Sequence, residues 1–262
     1  MNGGYLYGDY TRTVMNSFSN SAANTLTKTY SADVRSYQLN FGAQYALKLS
    51  KKDELNIGAT FSPGHKIGGK PSLSIISTNS QTSVSDTTRF PAAGQGNMQL
   101  EVPTSLSVGV MLNHENSLKI GADYQLQRWE PVAEPVFTVN SNGQASYALA
   151  RGNFMNRHKI TIGSDYCPME LSRRFFKRMH YRAGISYVTP YYKINNADGP
   201  KEISAGVGVG IPIMNSWNNR SWLNIGAQWV HQSANHYITE NTFRINIGLT
   251  FNERWFAKWK LE

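Results

Sequence analysis

Apolar and polar residues alternate in short segments throughout the chain, and these segments share one seven-residue pattern. The pattern has an apolar, a polar and an apolar residue, then glycine, a small or apolar residue, a polar residue and an aromatic residue, as in residues 39–45, Leu-Asn-Phe-Gly-Ala-Gln-Tyr. Further copies begin at Leu55, Leu118, Ile160, Tyr181, Leu223 and Ile245, with looser copies at Leu106 and Ile203. A period of two residues predicts β-strands with one apolar and one polar face.

The alternation predicts ten strands and an all-β fold. The predicted strands cover residues 4–14, 34–49, 54–67, 100–113, 117–130, 156–167, 178–189, 201–213, 221–233 and 240–252. Short connections at 50–53, 114–116, 168–177 and 214–220 alternate with long ones at 15–33, 68–99, 131–155, 190–200 and 234–239. Outer-membrane barrels have short periplasmic turns and long extracellular loops. We therefore predict one antiparallel up-and-down transmembrane β-barrel domain over residues 1–262, with its carboxyl terminus in the periplasm.

The two faces of the predicted strands differ sharply in charge. One face is nearly free of charge; examples are Leu39, Phe41, Ala43, Tyr45, Leu47, Leu223, Ile225, Ala227, Trp229, Phe243, Ile245, Ile247, Leu249 and Phe251. The other face carries Gln38, Asn40, Gln44, Lys119, Asp123, Gln125, Arg157, Lys159, Asp165, Asn224 and Gln228, together with the recurrent glycines 42, 58, 109, 121, 163, 184, 206, 226 and 248. We expect the first face to contact lipid and the second to line the lumen.

Aromatic residues lie near the predicted strand ends, where outer-membrane barrels have aromatic girdles. They are Tyr45, Phe61, Tyr124, Trp129, Tyr166, Tyr187, Trp229, Phe243 and Phe251. Aromatic residues filling the core of a soluble β-sandwich are the alternative interpretation of the same pattern.

Composition adds limits to this interpretation. Aromatic residues make up 12% and charged residues 16% of the chain, against about 25% charged residues in typical soluble domains. The mean hydropathy is −0.43, and no apolar stretch of about 18 residues predicts a transmembrane helix. The net charge is +9, but no nucleic-acid motif accompanies it. We interpret the one basic cluster, at 173–178, as a solvated turn, with contact to lipid phosphate or another polyanion as the alternative.

No sequence pattern indicates a cofactor. Cys167 is the single cysteine, so an internal disulfide is impossible. The spacing of Cys, His and acidic residues does not match a metal site, and no nucleotide motif is present. The amino terminus lacks the charged segment and apolar core of a secretory signal. We expect a bacterial outer-membrane location, with any signal peptide outside this chain.

Three segments resemble the FadL/TodX family of outer-membrane transporters for long-chain fatty acids and other hydrophobic compounds. The first is residues 118–129, Leu-Lys-Ile-Gly-Ala-Asp-Tyr-Gln-Leu-Gln-Arg-Trp, preceded by Val102-Pro103 and a strand. The second is residues 180–187, His-Tyr-Arg-Ala-Gly-Ile-Ser-Tyr, followed by Thr189-Pro190. The third is the ending at 243–256, which resembles the closing strand of Bacteroidetes-type members.

The resemblance implies a 14-stranded barrel with an amino-terminal hatch, through which hydrophobic molecules pass to a lateral opening. With ten predicted strands, the chain is expected to be the carboxyl-terminal part of such a barrel. The predicted partners are a hydrophobic small molecule or fatty acid, outer-membrane lipid and proteins at the long loops, with no nucleic acid. From strand parity and loop position, the candidate ligand-binding residues are Arg157, Lys159, Arg182, Trp129, Phe90, Phe137 and Phe154. The alternative to ligand binding is that the lumen cations form ion pairs with acidic residues such as Asp165 or Asp123.

Two other functions stay open. One is a barrel that serves as an accessory subunit in protein secretion or surface attachment, through its long loops. The other is a hydrolase, because His231 and Ser233 resemble the pair in outer-membrane phospholipase A, with Asn241 or Asn246 on the next strand to orient the histidine. Short motifs of this kind often arise by accident, so we expect no enzymatic activity.

Overall fold

The alternating segments form antiparallel β-strands in the computed structural model, which describes residues 1–20, 22–92, 98–214, 220–235, 237 and 239–250. The strands are β1 (Asn2–Asn16), β2 (Thr25–Lys48), β3 (Asp53–Ser62), β4 (His65–Ile67), β5 (Ser72–Thr78), β6 (Ser85–Phe90), β7 (Leu100–Val102), β8 (Thr104–His114), β9 (Leu118–Arg128), β10 (Glu134–Val139), β11 (Ala145–Ala150), β12 (Arg157–Tyr166), β13 (His180–Val188), β14 (Lys193–Ile194), β15 (Ala197–Asp198), β16 (Lys201–Met214), β17 (Arg220–Ser233) and β18 (Glu240–Thr250). A single 3-10 turn at Phe175–Arg178 is the helical segment among these elements. None of the helical structure described is long and apolar enough to cross a membrane.

All ten predicted strands are present, as β1, β2, β3, β8, β9, β12, β13, β16, β17 and β18. The predicted fold class, all-β with an antiparallel up-and-down order of strands, is confirmed. Among the described residues β18 pairs only with β17, so closure into a barrel stays a prediction. Residues 251–256 of the segment that resembles a closing strand lie outside the described residues, as do positions 215–219 of one short turn.

Prolines and polar β-formers explain where the predicted bounds were wrong. The predicted strand 54–67 is two strands, because Pro63 and Gly64 separate β3 from β4. The predicted strand 100–113 is also divided, since Pro103 lies between β7 and β8; proline cannot donate a ladder hydrogen bond. The predicted loop 15–33 is largely strand, because polar but β-forming residues such as Thr25 and Thr27 continue β2 toward the amino terminus.

The other long connections also contain strands. Residues 68–99 include the antiparallel hairpin β5–β6, and residues 131–155 include the hairpin β10–β11. The connection 190–200 holds the two-residue strands β14 and β15. The expected loop structure of these three connections is therefore wrong for the described residues that form paired strands.

Contacts between Cα atoms divide the chain into two compact units. The hairpin unit comprises Met1–Phe41, Phe61–Ser105 and Gln127–Asn156, and the meander unit comprises Gly42–Thr60, Leu106–Leu126 and Arg157–Glu262. This division does not test whether residues 1–262 form a single barrel domain, which stays a prediction.

The meander unit is one sheet in which each strand neighbours the next long strand along the chain. Its order is β2, β3, β8, β9, β12, β13, β16, β17 and β18. From β3 onward these strands have 9 to 14 residues, which suits the roughly 9–11 residues needed to cross a bilayer. Such an order is the up-and-down topology that the alternating connections predicted.

The short turns lie together at one end of the meander unit. Glu115 N donates to Lys52 O at 2.7 Å, and Cys167 N donates to Ser117 O at 2.7 Å. An ion pair of 2.5 Å between Lys52 and Glu115 further joins the first two turns. The hydrogen bond from Lys52 lowers the pKa of Glu115, so the pair stays charged at neutral pH. Three of the four predicted short turns therefore share one end, as the loop pattern required.

The hairpin unit has a hydrophobic core of its own. In it β2 pairs with β1 and with β5, and β5 pairs with β6. Leu73 is 1% exposed, and its cluster includes Phe90, Met98 and Tyr147. Burial raises the pKa of Tyr147 to about 12, so its phenol is neutral in this core. The predicted extracellular loops 68–99 and 131–155 thus supply core residues to a folded unit.

Candidate functional site

The polar face of the meander unit is continuous across its strands. In the pairing of β12 with β13, Asp165 lies opposite Arg182, Gly163 opposite Gly184, and Thr161 opposite Ser186. The same parity continues through β16, β17 and β18, where it selects Glu202, Ser204, Gly206, Gly208, Gly210, Asn224, Gly226, Gln228, Arg244, Asn246 and Gly248. The polar positions predicted from strand parity are therefore paired with each other across neighbouring strands.

The opposite face of the same strands is apolar and exposed. Its exposed members are Ile160, Ile162, Tyr166, Tyr181, Ile185, Tyr187, Ile203, Val207, Ile213, Ile225, Trp229, Phe243, Ile245, Ile247 and Leu249. Ile185, in the middle of β13, is 58% exposed, and Phe243 on β18 is 81% exposed. Among the described side chains of β12 to β18, the one Asp, Glu, Lys or Arg on this face is Lys201, at a strand end. A soluble protein seldom exposes so continuous an apolar surface.

Glycines expose the backbone on the polar face. Gly163, Gly184 and Gly206 are aligned across three neighbouring strands, and Gly208 is aligned with Gly226. A Cβ at Gly208 would lie 3.2 Å from Ile225 O. Because glycine has no side chain, these rows form depressions in the polar face of the sheet.

A depression on the polar face has a volume of about 570 Å³ and crosses β2, β3, β8 and β9. Binding sites for small molecules commonly have about 300–1,000 Å³. Its lining includes Gly42, Gly58, Gly109, Gly121, Gln44, Asn56, Met111 and Asp123. A Cβ at Gly109 would meet Asp123 Oδ1, so a larger residue at this position would require the Asp123 side chain to move. The glycine pattern thus becomes a cavity, which the strand pattern alone could not show.

A network of polar side chains forms near the short-turn end of the same face. Asp165 Oδ1 lies 2.6 Å from His180 Nδ1, and Arg182 Nε donates to Asp165 Oδ2 at 3.0 Å. Arg182 Nη1 also donates to Asn224 Oδ1 at 2.8 Å. Gly210 leaves room for the network, since a Cβ there would lie 3.1 Å from His180 Cβ. The expected pairing of a lumen cation with Asp165 is confirmed for Arg182.

The other two candidate cations have different surroundings. The Arg157 guanidinium lies 5.8 Å from the ring centroid of Tyr191, in a cation–π contact. Lys159 is exposed on β12, on the face that carries Asp165. No ion pair involves Lys159 within the described residues, so the structure leaves its ammonium available.

The four aromatic candidates form two pairs in the hairpin unit. The ring centroids of Trp129 and Phe154 are 5.5 Å apart, and those of Phe90 and Phe137 are 5.7 Å apart. Phe90 is only 8% exposed and belongs to the core of that unit. Packing is therefore the role that the contacts give Phe90 and Phe137, and ligand binding by these four residues stays a prediction.

One part of the hydrolase motif comes together in the structure. His231 and Asn241 lie opposite each other in the pairing of β17 with β18, and His231 Nδ1 is 2.9 Å from Asn241 Oδ1. Within the described part of the chain no hydrogen bond joins His231 to Ser233. Asn246 belongs to the polar face, opposite Gly226, and is not beside His231.

Sequence reasoning missed His180 and Gly210 as parts of the polar network. Strand parity placed Asp165 and Asn224 on the correct face, which was the available signal. The register that brings residues 15 to 42 positions apart into hydrogen-bond contact depends on strand pairing, and no local pattern encodes it.

Comparisons with known proteins give one family and one structural likeness. The sequence model of a family described as BamG matches residues 1–262. No curated protein matches the chain. A solved structure, the CymD monoaromatic hydrocarbon channel, is 12% identical, with 96% of this chain and 77% of that chain covered and a TM-score of 0.49; a likeness at this level carries no functional conclusion. The matching family differs from the FadL/TodX family that the sequence resembles, and membership of the latter stays a prediction.

Proposed function

The chain belongs to the BamG family, and we propose that it is a wall of an outer-membrane β-barrel that binds and passes hydrophobic molecules. The observation that carries the proposal is the exposed, nearly uncharged apolar face of β12 to β18, backed in register by a glycine-rich polar face. Lipid would cover the first face, because exposing so large an apolar surface to water costs free energy. The second would line a passage whose glycines leave space for a ligand.

The cavity of about 570 Å³ is the proposed ligand site. Its glycine floor lets a molecule approach the backbone closely, and Met111 adds an adaptable apolar side chain. Passage by diffusion needs no covalent step, and we propose none. The absence of a hydrogen bond from Ser233 to His231 among the described residues also gives no support to a hydrolytic role.

Long-chain fatty acids are the finer proposal for the ligand. Their carboxylate requires a cation, and the polar face offers Lys159, Arg157 and Arg182. Lys159 suits this role best, because the ion pair with Asp165 and the ring of Tyr191 already engage the other two. Asp123 in the cavity repels a carboxylate, so a neutral apolar chain is expected there with the head group nearer a cation.

We expect Gly58→Leu to weaken binding of a fluorescent fatty acid by about tenfold or more, because the new side chain fills the cavity. A Cβ at Gly58 would meet only Ala43 O, at 3.9 Å, so the wall itself should tolerate the change. The measurement is a fluorescence titration of the folded protein in detergent. Gly248→Leu is the matched control, since Gly248 has the same parity and open space around it.

Equal affinities of the two glycine variants would contradict the proposed ligand site. The same titration with Lys159→Ala tests the head-group assignment. Weaker binding of the acid with unchanged binding of its methyl ester supports a carboxylate contact at Lys159. Unchanged binding of both would contradict a carboxylate contact at Lys159, but it would not contradict the binding of hydrophobic molecules in general.

A role as an accessory subunit is the second candidate, and the hairpin unit favours it. Residues 131–155 form an ordered hairpin with Tyr147 in a core, and they also expose Val139 and Leu149. Exposed apolar side chains on an ordered element are typical of protein-binding surfaces. The proposed partner is a secreted or surface-attached protein held by this hairpin.

We expect the double variant Val139→Ser, Leu149→Ser to reduce cross-linking of such a partner at the cell surface at least severalfold, because it removes apolar contact area. Val84→Ser is the control, since Val84 is an exposed apolar residue outside this hairpin. Quantitative mass spectrometry of the cross-linked proteins is the measurement. A partner profile identical in wild type and double variant would argue against the accessory role.

A further inference from the structure

The turn between β12 and β13 combines positive charge with exposed apolar side chains. Arg173, Arg174 and Lys177 lie in this turn, and none of the three forms an ion pair within the described residues. Leu171 is 78% exposed and Phe176 is 72% exposed. Water alone does not favour exposing such residues, but a membrane interface does, where aromatic and basic side chains meet headgroups.

A groove of about 630 Å³ lies on the apolar face beside this turn. Its floor is formed by one row across the strands, which consists of Ser164, Ala183, Val207 and Ala227. The neighbouring row carries Tyr166 and Tyr181, which also line the groove. Ser164 and Ala183 are smaller than these tyrosines, so space for an apolar chain is left beside the rings.

Tyr181 connects the groove to the basic turn. Its hydroxyl donates to Phe176 O at 3.1 Å, so the tyrosine lies between the apolar floor and the cations. The backbone of Cys167 also ties the turn to its neighbour, through the hydrogen bond to Ser117 O. The two parts of the surface are thereby held next to each other.

We propose that this surface is a binding site for an anionic glycerophospholipid, with the phosphate at Arg173, Arg174 and Lys177 and an acyl chain in the groove. The inference rests on the proposed function, because it needs the apolar face to be in a bilayer. Charge complementarity favours the anionic headgroup: each basic residue near a membrane surface adds about 1 kcal/mol of attraction to acidic lipid. Glu170 is the acidic residue of the turn, so positive charge prevails.

The position of the turn selects phospholipid as the source of the phosphate. The turn shares its end of the sheet with the other short turns, which we assign to the periplasmic side. The periplasmic leaflet of an outer membrane consists of phospholipid, whereas lipopolysaccharide occupies the outer leaflet. A second apolar contact from Phe176 and Leu171 would hold the turn at the headgroup level.

The test is native mass spectrometry of the full chain in a neutral detergent, titrated with phosphatidylglycerol and with chain-matched phosphatidylcholine. The wild type should bind phosphatidylglycerol more tightly. The variant Arg174→Ser, Lys177→Ser should lower that affinity about 30-fold, from two lost charges. Lys48→Ser, Lys51→Ser is the charge-matched control, in and beside another short turn at the same end, and should bind as the wild type does.

The groove has its own variant. Ala183→Phe should weaken binding of both lipids by about tenfold, because the ring occupies the floor, whereas Ala122→Phe on β9 should have no such effect. Three results would each overturn the lipid site. They are equal affinity of the wild type for the two lipids, an equal loss of phosphatidylglycerol affinity in the charge-matched control, and wild-type affinity in Ala183→Phe. Heat-modifiable migration of every variant on gels shows that the barrel itself is folded. A wild type that is soluble without detergent would instead overturn the proposed function.

Discussion

Replacing Ile185 with arginine is expected to lower the free energy of unfolding of the bilayer-inserted protein by about 2–4 kcal/mol. Ile185 lies in the middle of β13, between Ile162 and Ala205 on the neighbouring strands, and is exposed on the apolar face. If lipid covers this face, the guanidinium must be placed in hydrocarbon or bend the bilayer around it. Urea unfolding from lipid vesicles, followed by tryptophan fluorescence, measures the change.

Ser186→Arg is the matched control for this prediction. Ser186 is the next residue of the same strand and lies on the polar face, between Thr161 and Ser204. An arginine there keeps access to water in a barrel lumen, so its effect is expected to be much smaller. In a soluble sheet, Ile185→Arg would change stability by only about 0.5 kcal/mol, as for other surface substitutions. That result would remove the membrane interpretation of the apolar face.

Asp165→Ala is expected to lower the free energy of unfolding by about 2 kcal/mol, because hydrogen bonds to charged groups contribute about 1.5–3 kcal/mol. Asp165 accepts a hydrogen bond from Arg182 and contacts His180. Its side chain is 26% exposed, so solvent screens part of the interaction. The change leaves Arg182 with Asn224 as its remaining partner in the network. The same urea titration measures the loss.

Asp123→Ala provides the comparison for Asp165. Asp123 is another carboxylate of the polar face, and it has no ion pair among the described residues. Its removal should change the unfolding free energy by about 0.5 kcal/mol or less. Equal losses for the two alanine variants would mean that the network around Asp165 adds no stability of its own.

Much of the fold follows from the local pattern. Copies of the seven-residue pattern located nine of the ten long strands, all but β1, because alternation with a period of two is a property of each segment alone. The same alternation assigned Asp165 and Arg182 to the polar face and Ile185 to the apolar face. The predicted bounds were wrong where a proline interrupts a strand, as at Pro103, or where polar residues such as Thr25 continue one. In those segments, pairing with another strand decides the structure.

The candidate site was less accessible to sequence reasoning. Phe90 and Phe137 were predicted to bind a ligand from their places in long connections, but the cluster of Leu73 and Tyr147 puts them in or beside a core. His180 was seen only as part of a motif, although it lies 2.6 Å from Asp165. Both outcomes depend on residues that are distant in the chain, and therefore on the tertiary structure.

The sequence by itself determined the class of fold, the two faces of each strand and the alternation of short and long connections. These properties follow from the alternation of apolar and polar side chains and from turn length, which act over a few residues. Only the tertiary structure decided that the long connections contain hairpins, that glycines form cavities and that Arg182 pairs with Asp165. Strand register decides these features, and register depends on hydrogen bonds and packing between segments that are far apart in the chain.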